Sequence, residues 1–135
     1  MIIEKEIETK HETDVVLKIL SDSSFILPLV FPIKMLMEKA DGIIYAKGDV
    51  RGLPVIINIR EYIGSSISYV LDFEKPKLVG KMSIHKLDAN RIRIVIEIDM
   101  SLIYWPLEIS IERKLNKLQS NFDELIRLER IKRKI

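Results

Sequence analysis

The spacing of hydrophobic positions changes along the chain, and each change marks a different element. Over residues 2–9, Ile3, Lys5, Ile7 and Thr9 fall on one side and Glu4, Glu6 and Glu8 on the other, the two-residue repeat of a strand with one wet face. The repeat then lengthens. Val15, Val16, Ile19 and Leu20 form a helical stripe ending near Ser21, with Thr13 as N-cap and Asp14 in its first turn, while Thr9 and Glu12 offer a competing capping box. Between Ser23 and Ala40, Pro28 and Pro32 interrupt any continuous helix, and Phe31, Ile33, Met35, Leu36 and Met37 cluster. This predicts a loop, then a short second helix from Phe31 to Lys39, ended by Asp41 and Gly42.

From residue 43 the two-residue repeat returns. Residues 43–51 and 53–62 read as strands around a turn at Arg51 and Gly52, with Pro54 tolerated at a strand start. The parity of the second strand is open. Either Ile57 and Ile59 face inward, or Ile56, Asn58 and Arg60 do, in which case Asn58 and Arg60 become anchors for a carboxylate or phosphate head group. Residues 67–73 place Ile67, Tyr69, Leu71 and Phe73 inward, and residues 77–86 place Leu78, Gly80, Met82 and Ile84 inward. In residues 91–100, Ile92, Ile94, Ile96, Ile98 and Met100 oppose Arg91, Arg93, Val95, Glu97 and Asp99, so a slip of one residue would expose the whole apolar row. Pro106 suits the first position of a helix. Leu107, Ile111, Leu115, Leu118, Phe122, Leu125 and Leu128 then form one stripe over residues 106–133. At 1.5 Å per residue that helix is roughly 42 Å long, so its last turn is expected to project from the domain.

Composition narrows the function classes. The 135 residues suit a single domain, residues 1–135, and 47% apolar content supplies one core. With 22 Lys and Arg against 20 Asp and Glu, the net charge of +2 is not that of a polycation built for phosphate backbones, so nucleic acid is not an expected partner. The absence of Cys removes disulfides, thiolate nucleophiles and thiolate-bound metal, and fits an intracellular, cytoplasmic protein. The N-terminus lacks the pattern of a signal peptide. The most apolar stretch, 25–37, is broken by Pro28, Pro32 and Lys34 and falls short of the roughly 20 residues of a membrane span, so stable membrane insertion is not expected. Heavy use of Ile, Lys, Glu and Arg with one Gln, Gln119, matches the bias of thermophile proteins.

The order of one strand, two short helices, about five further antiparallel strands and a long final helix is that of the helix-grip fold, an α+β architecture. With the segment ETDVVLKILSDSSF (12–25) after the first strand and the Gly-punctuated strand pair from Gly42 to Tyr62, the chain resembles the START-like superfamily, also called SRPBCC, and in particular its short uncharacterised archaeal members. It shows about six strands where many relatives have seven. The resemblance implies an apolar pocket between the curved sheet and the final helix. Ile57, Ile59, Ile67, Tyr69, Leu71, Met82, Ile84, Ile94 and Ile96 would form one wall. Ile111, Leu115, Leu118 and Phe122 would form the other, with Phe25, Phe31 and Met35 as a lid. The leading expectation is non-enzymatic binding of a small hydrophobic molecule or lipid, without cofactor. The alternatives are a cyclase- or hydrolase-like enzyme using a pocket carboxylate or Tyr69, and an interaction module presenting Val70, Val79 and Val95 on the outer sheet face.

Other chemistry finds little support. His11 and His85 are the only two histidines and neither has a second ligand at metal spacing, so both read as surface residues. No G-x-S-x-G turn is present, and Gly48, Gly52 and Gly64 are spaced as hairpin turns. Tyr69 interrupts an apolar face, where its hydroxyl needs a partner or orients a ligand's oxygen. Trp105 marks either a corner or a pocket mouth. The terminal run Arg127, Arg130, Lys132, Arg133 and Lys134 complements the helix dipole as a solvated end.

Overall fold

The computed structural model describes residues 1–99 and 104–135. Met100, read as the last inward residue of its strand, lies outside them. Seven antiparallel strands are present among the described residues: β1 (Ile2–Glu8), β2 (Ile33–Glu38), β3 (Ile44–Val50), β4 (Leu53–Ile63), β5 (Ile67–Lys75), β6 (Leu78–Asp88) and β7 (Arg91–Ile98). They form one sheet in the order β1-β7-β6-β5-β4-β3-β2. Helices α1 (Thr13–Leu20) and α2 (Ser23–Val30) follow β1, and α3 (Trp105–Arg133) closes the chain.

The predicted parities hold. Val55, Ile57 and Ile59 are fully buried while Ile56 and Asn58 are half-buried and Arg60 is exposed, so β4 turns its hydrophobic side inward and Asn58 and Arg60 outward. Ile59 pairs with Leu71, Ile67 with Ile84, and Ile84 with Ile94, a row of cross-strand apolar contacts that fixes register across four strands.

The segment 23–40 differs from its sequence reading. Ser23–Val30 is a helix although it contains Pro28, because Asp22 caps it: the Asp22 carboxylate accepts from the Ser24 backbone N–H at 3.1 Å. Pro32 then forces Phe31 into an extended conformation, φ −109° and ψ 152°. The chain leaves α2 as a strand, so 33–38, expected to be helical, is β2, the seventh strand. A bulge at Lys34 shifts its register against β3 and hides the two-residue repeat. Gly48 lies opposite the start of β2, where a Cβ would come within 2.1 Å of the Pro32 carbonyl oxygen, so only glycine lets the two backbones approach.

Two further corrections concern helix ends. Thr13 is not the cap of α1: Glu12 holds that position without a side-chain bond, and the Thr13 hydroxyl donates instead to the Asp88 carbonyl at 3.1 Å. The last turn of α3 does not project. Arg133 reaches Asp22 at 2.7 Å and lies over the Phe25 ring at 5.9 Å, which ties the helix end to the α1–α2 corner.

Candidate functional site

The wall residues expected from the sequence form the centre of a single core. Ile57, Ile59, Tyr69, Met82, Ile84, Ile94, Ile96, Ile111 and Leu115 are all 0% exposed, and Ile67, Leu71, Leu118 and Phe122 are buried with them. These walls therefore belong to one continuous hydrophobic cluster at the centre of the grip. Of the three lid residues, Phe31 is fully buried, Phe25 is half-buried against the core, and Met35 stands 44% exposed on the outer face of β2.

Space opens at one end of the grip. A cavity of about 310 Å³ lies among the β3–β4 turn, the β5–β6 turn and the first turn of α3. Its apolar lining comes from Val50, Leu53, Pro54, Val55, Pro76 and Leu107, with Tyr104 beside them. Val55 and Leu107 are essentially unexposed, so the cavity floor is the edge of the core itself. Glu74, Lys75 and Lys77 line its rim, and Glu74 accepts a hydrogen bond from the Asn58 amide at 2.9 Å. None of these residues was singled out in the sequence as a ligand contact. The available signal was the convergence of two tight turns on the Pro106 helix start, which becomes visible only once strand order is known.

The turn beside this cavity is built for a tight approach. Arg51 and Gly52 have φ of +50° and +80°, the two left-handed central residues of a type I′ hairpin turn, which suits glycine at the second position. That turn lifts the Arg51 guanidinium over the ring of Trp105, 5.4 Å from its centroid. A smaller depression of about 210 Å³ continues from Val50 past this pair to Ile109, Arg113 and Lys114. Lys114 donates to the Pro28 carbonyl at 2.9 Å, and burial, with the charge of Lys117 nearby, holds its ammonium below the ordinary lysine value.

A second polar grouping lies at the opposite end. Glu61 pairs with Tyr69 across β4 and β5 and therefore shares its inward face. The Tyr69 hydroxyl donates to the Leu20 carbonyl at 3.3 Å, and one Glu61 carboxylate oxygen is buried without a partner. Burial, reinforced by Glu61, raises the Tyr69 phenol far above its usual value, so it stays protonated and is not a base at neutral pH. The histidines serve structure: His85 bonds the Ser83 hydroxyl at 3.0 Å, and His11 meets the Asp123 carbonyl at 2.9 Å and Arg130 at 3.3 Å. Among the described residues there is no group of three or more acidic or histidine side chains placed to hold a metal. No described helix is long and apolar enough to cross a membrane.

Comparison with known proteins places this architecture. A family model matches the chain over residues 1–135, and no curated protein matches. A hypothetical protein from Sulfolobus tokodaii superimposes with a TM-score of 0.89 at 35% identity, covering 98% of this chain and 99% of that one. Zhui aromatase/cyclase from Streptomyces sp. R1128 follows at TM-score 0.61 and 18% identity over 96% and 94% of the two chains. A START superfamily protein from Mycobacterium smegmatis gives 0.57 at 14% identity over 94% and 97%. The chain has the helix-grip fold of these aromatase/cyclase and START superfamily structures. It keeps the seven-stranded sheet and long final helix of that fold, with the uncharacterised archaeal protein among its relatives.

Proposed function

We propose that this helix-grip domain binds a small apolar molecule, or the apolar part of a lipid, in the cavity at the open end of the grip. The observation that carries this reading is an opening of about 310 Å³ whose lining is mostly aliphatic and whose floor, Val55 and Leu107, is continuous with the core. Its size lies at the lower end of small-molecule sites. The deep wall residues then act as a rigid backing that fixes cavity shape. Glu74 is the single carboxylate among the lining residues and is hydrogen-bonded to Asn58. The cavity therefore presents no acid–base pair of carboxylates, and binding is favoured over proton-transfer chemistry.

The test is native mass spectrometry and solvent extraction of protein purified without denaturation, together with titration of a simple apolar probe such as 1-octanol. A bound small molecule, or saturable probe binding abolished by Val50→Trp at the cavity wall, is the expected result. Probe binding that is absent, or unchanged by Val50→Trp, overturns the reading.

A further inference from the structure

We propose that the occupant is an amphipathic anion: its apolar body fills the cavity, and its negatively charged head is held over the Arg51–Trp105 turn, facing Arg113 and Lys114. The inference rests on the binding reading above and adds the charge of the head group.

The cavity and the neighbouring depression share Val50, so a molecule leaving the apolar floor passes directly onto the basic surface. Across the two linings stand Arg51, Arg113, Lys114, Lys75 and Lys77 against one acid, Glu74. The whole chain carries 22 basic and 20 acidic residues, so these two linings are more basic than the chain as a whole; of the acids that flank them, Asp49 is paired with Lys34 at 2.9 Å and Glu108 lies in the first turn of α3. Glu74 is engaged by Asn58. The start of α3 adds its partial positive charge in the same direction. Three features fit this surface to a head group. Arg51 is held in place by a tight turn and by the Trp105 ring, which lowers the entropy lost on binding. Arg113 is exposed on the same helix face as Ile109 and offers a planar fork for a carboxylate, sulfate or phosphate. Lys114 is half-buried, donates to the Pro28 carbonyl at 2.9 Å and has another lysine near it, and an anion beside it relieves that unfavourable charge. The aliphatic floor supplies affinity while the cations select for charge.

The test compares octanoate, 1-octanol and octylammonium, equal in chain length and different in head charge, by following the fluorescence of Trp105, the single tryptophan. Octanoate is expected to bind about tenfold or more tightly than 1-octanol, as one charge-assisted contact supplies, and octylammonium more weakly than either. The preference should shrink as salt is raised. Arg51→Asn keeps a residue that tolerates the left-handed turn, and the exposed Arg113→Gln leaves the core untouched. In the double variant the octanoate preference is expected to vanish while 1-octanol binding is retained. Phosphatidylglycerol and phosphatidylcholine vesicles form a second arm. Binding of monomeric octanoate identifies a free amphiphile, and charge-selective binding of phosphatidylglycerol vesicles alone identifies a lipid head group; either result upholds the anionic assignment. Equal affinity for octanoate and 1-octanol, without vesicle selectivity, overturns it and leaves the apolar cavity standing. Absence of binding by all ligands and vesicles overturns both.

Discussion

Arg133, in the last turn of α3, places its guanidinium 2.7 Å from the carboxylate of Asp22, which caps α2 by accepting from the Ser24 backbone N–H and hydroxyl. One carboxylate thus starts one helix and anchors the end of another. Burial pushes the Asp22 carboxyl upward, but the bonds from Ser24 and Arg133 outweigh it and hold the group below the usual carboxylate range. A carboxyl whose folded-state pKa is depressed contributes stability at and above its unfolded value. That contribution is lost as pH falls through the folded value. Asp22→Ala is therefore expected to lower stability by about 1–2 kcal/mol at neutral pH, as for other lost caps, and by less in strong acid. Urea denaturation at several pH values measures this. A pH-independent difference between variant and wild type would show that the charge is not involved.

The register of α3 changes beyond Phe122. Ile126 is fully buried whereas Leu128 is 49% exposed, so the apolar stripe continues through Ile126 and not along the spacing that reaches Leu128. Ile126→Ala should cost about 2–4 kcal/mol, and Leu128→Ala no more than about 0.5 kcal/mol. Paired chemical denaturation curves decide between the two.

The outcome at Leu128 shows where sequence patterning works and where it stops. Rows such as Ile92, Ile94, Ile96 and Ile98 were legible because one wrong step exposes every large side chain, and the buried alternation of β7 follows them. The same holds for the middle of α3, where Ile111, Leu115 and Leu118 meet the sheet. At the helix end, Leu125, Ile126 and Leu128 are alike in hydrophobicity, and only the position of α1 and α2 decides which is covered. β2 was unreadable because a bulge breaks its alternation. The cavity was unreadable because its residues, Val50, Leu53, Pro76 and Leu107, are far apart in sequence and meet only through strand order. Deep apolar rows report what must be buried, whereas an open site is defined by where packing ends.

Tyr69 and Glu61 offer a test that follows protonation. The buried Tyr69 hydroxyl bonds the Leu20 carbonyl, and burial with the neighbouring carboxylate keeps the phenol protonated well beyond its usual range. In an ultraviolet titration, one of the four tyrosines should ionise only when the protein unfolds in strong alkali. Because the folded-state pKa is raised, this contribution is fully present below the unfolded value near 10 and is lost as pH rises above it. Tyr69→Phe should cost about 1–2 kcal/mol by leaving a buried carbonyl unpaired. Glu61→Gln removes the charge beside the phenol, where one oxygen already lacks a partner, and should leave stability unchanged or raise it by about 1 kcal/mol. A large loss in Glu61→Gln would mean that the carboxylate is an essential acceptor.

The cavity floor couples stability to occupancy. Leu107 is 1% exposed in the core and also lines the cavity, so Leu107→Ala both removes core contacts and enlarges the open space. In the unliganded protein this should cost about 2–4 kcal/mol. A ligand that occupies the cavity and binds only the folded state adds about 2.7 kcal/mol at a concentration one hundred times its Kd. Saturating 1-octanol should therefore raise the melting temperature of wild type, and a longer or branched alcohol should raise that of Leu107→Ala by more than 1-octanol does. If the variant shows the same ligand order as wild type, Leu107 does not set the depth of the site, and the binding space must be sought away from the first turn of α3.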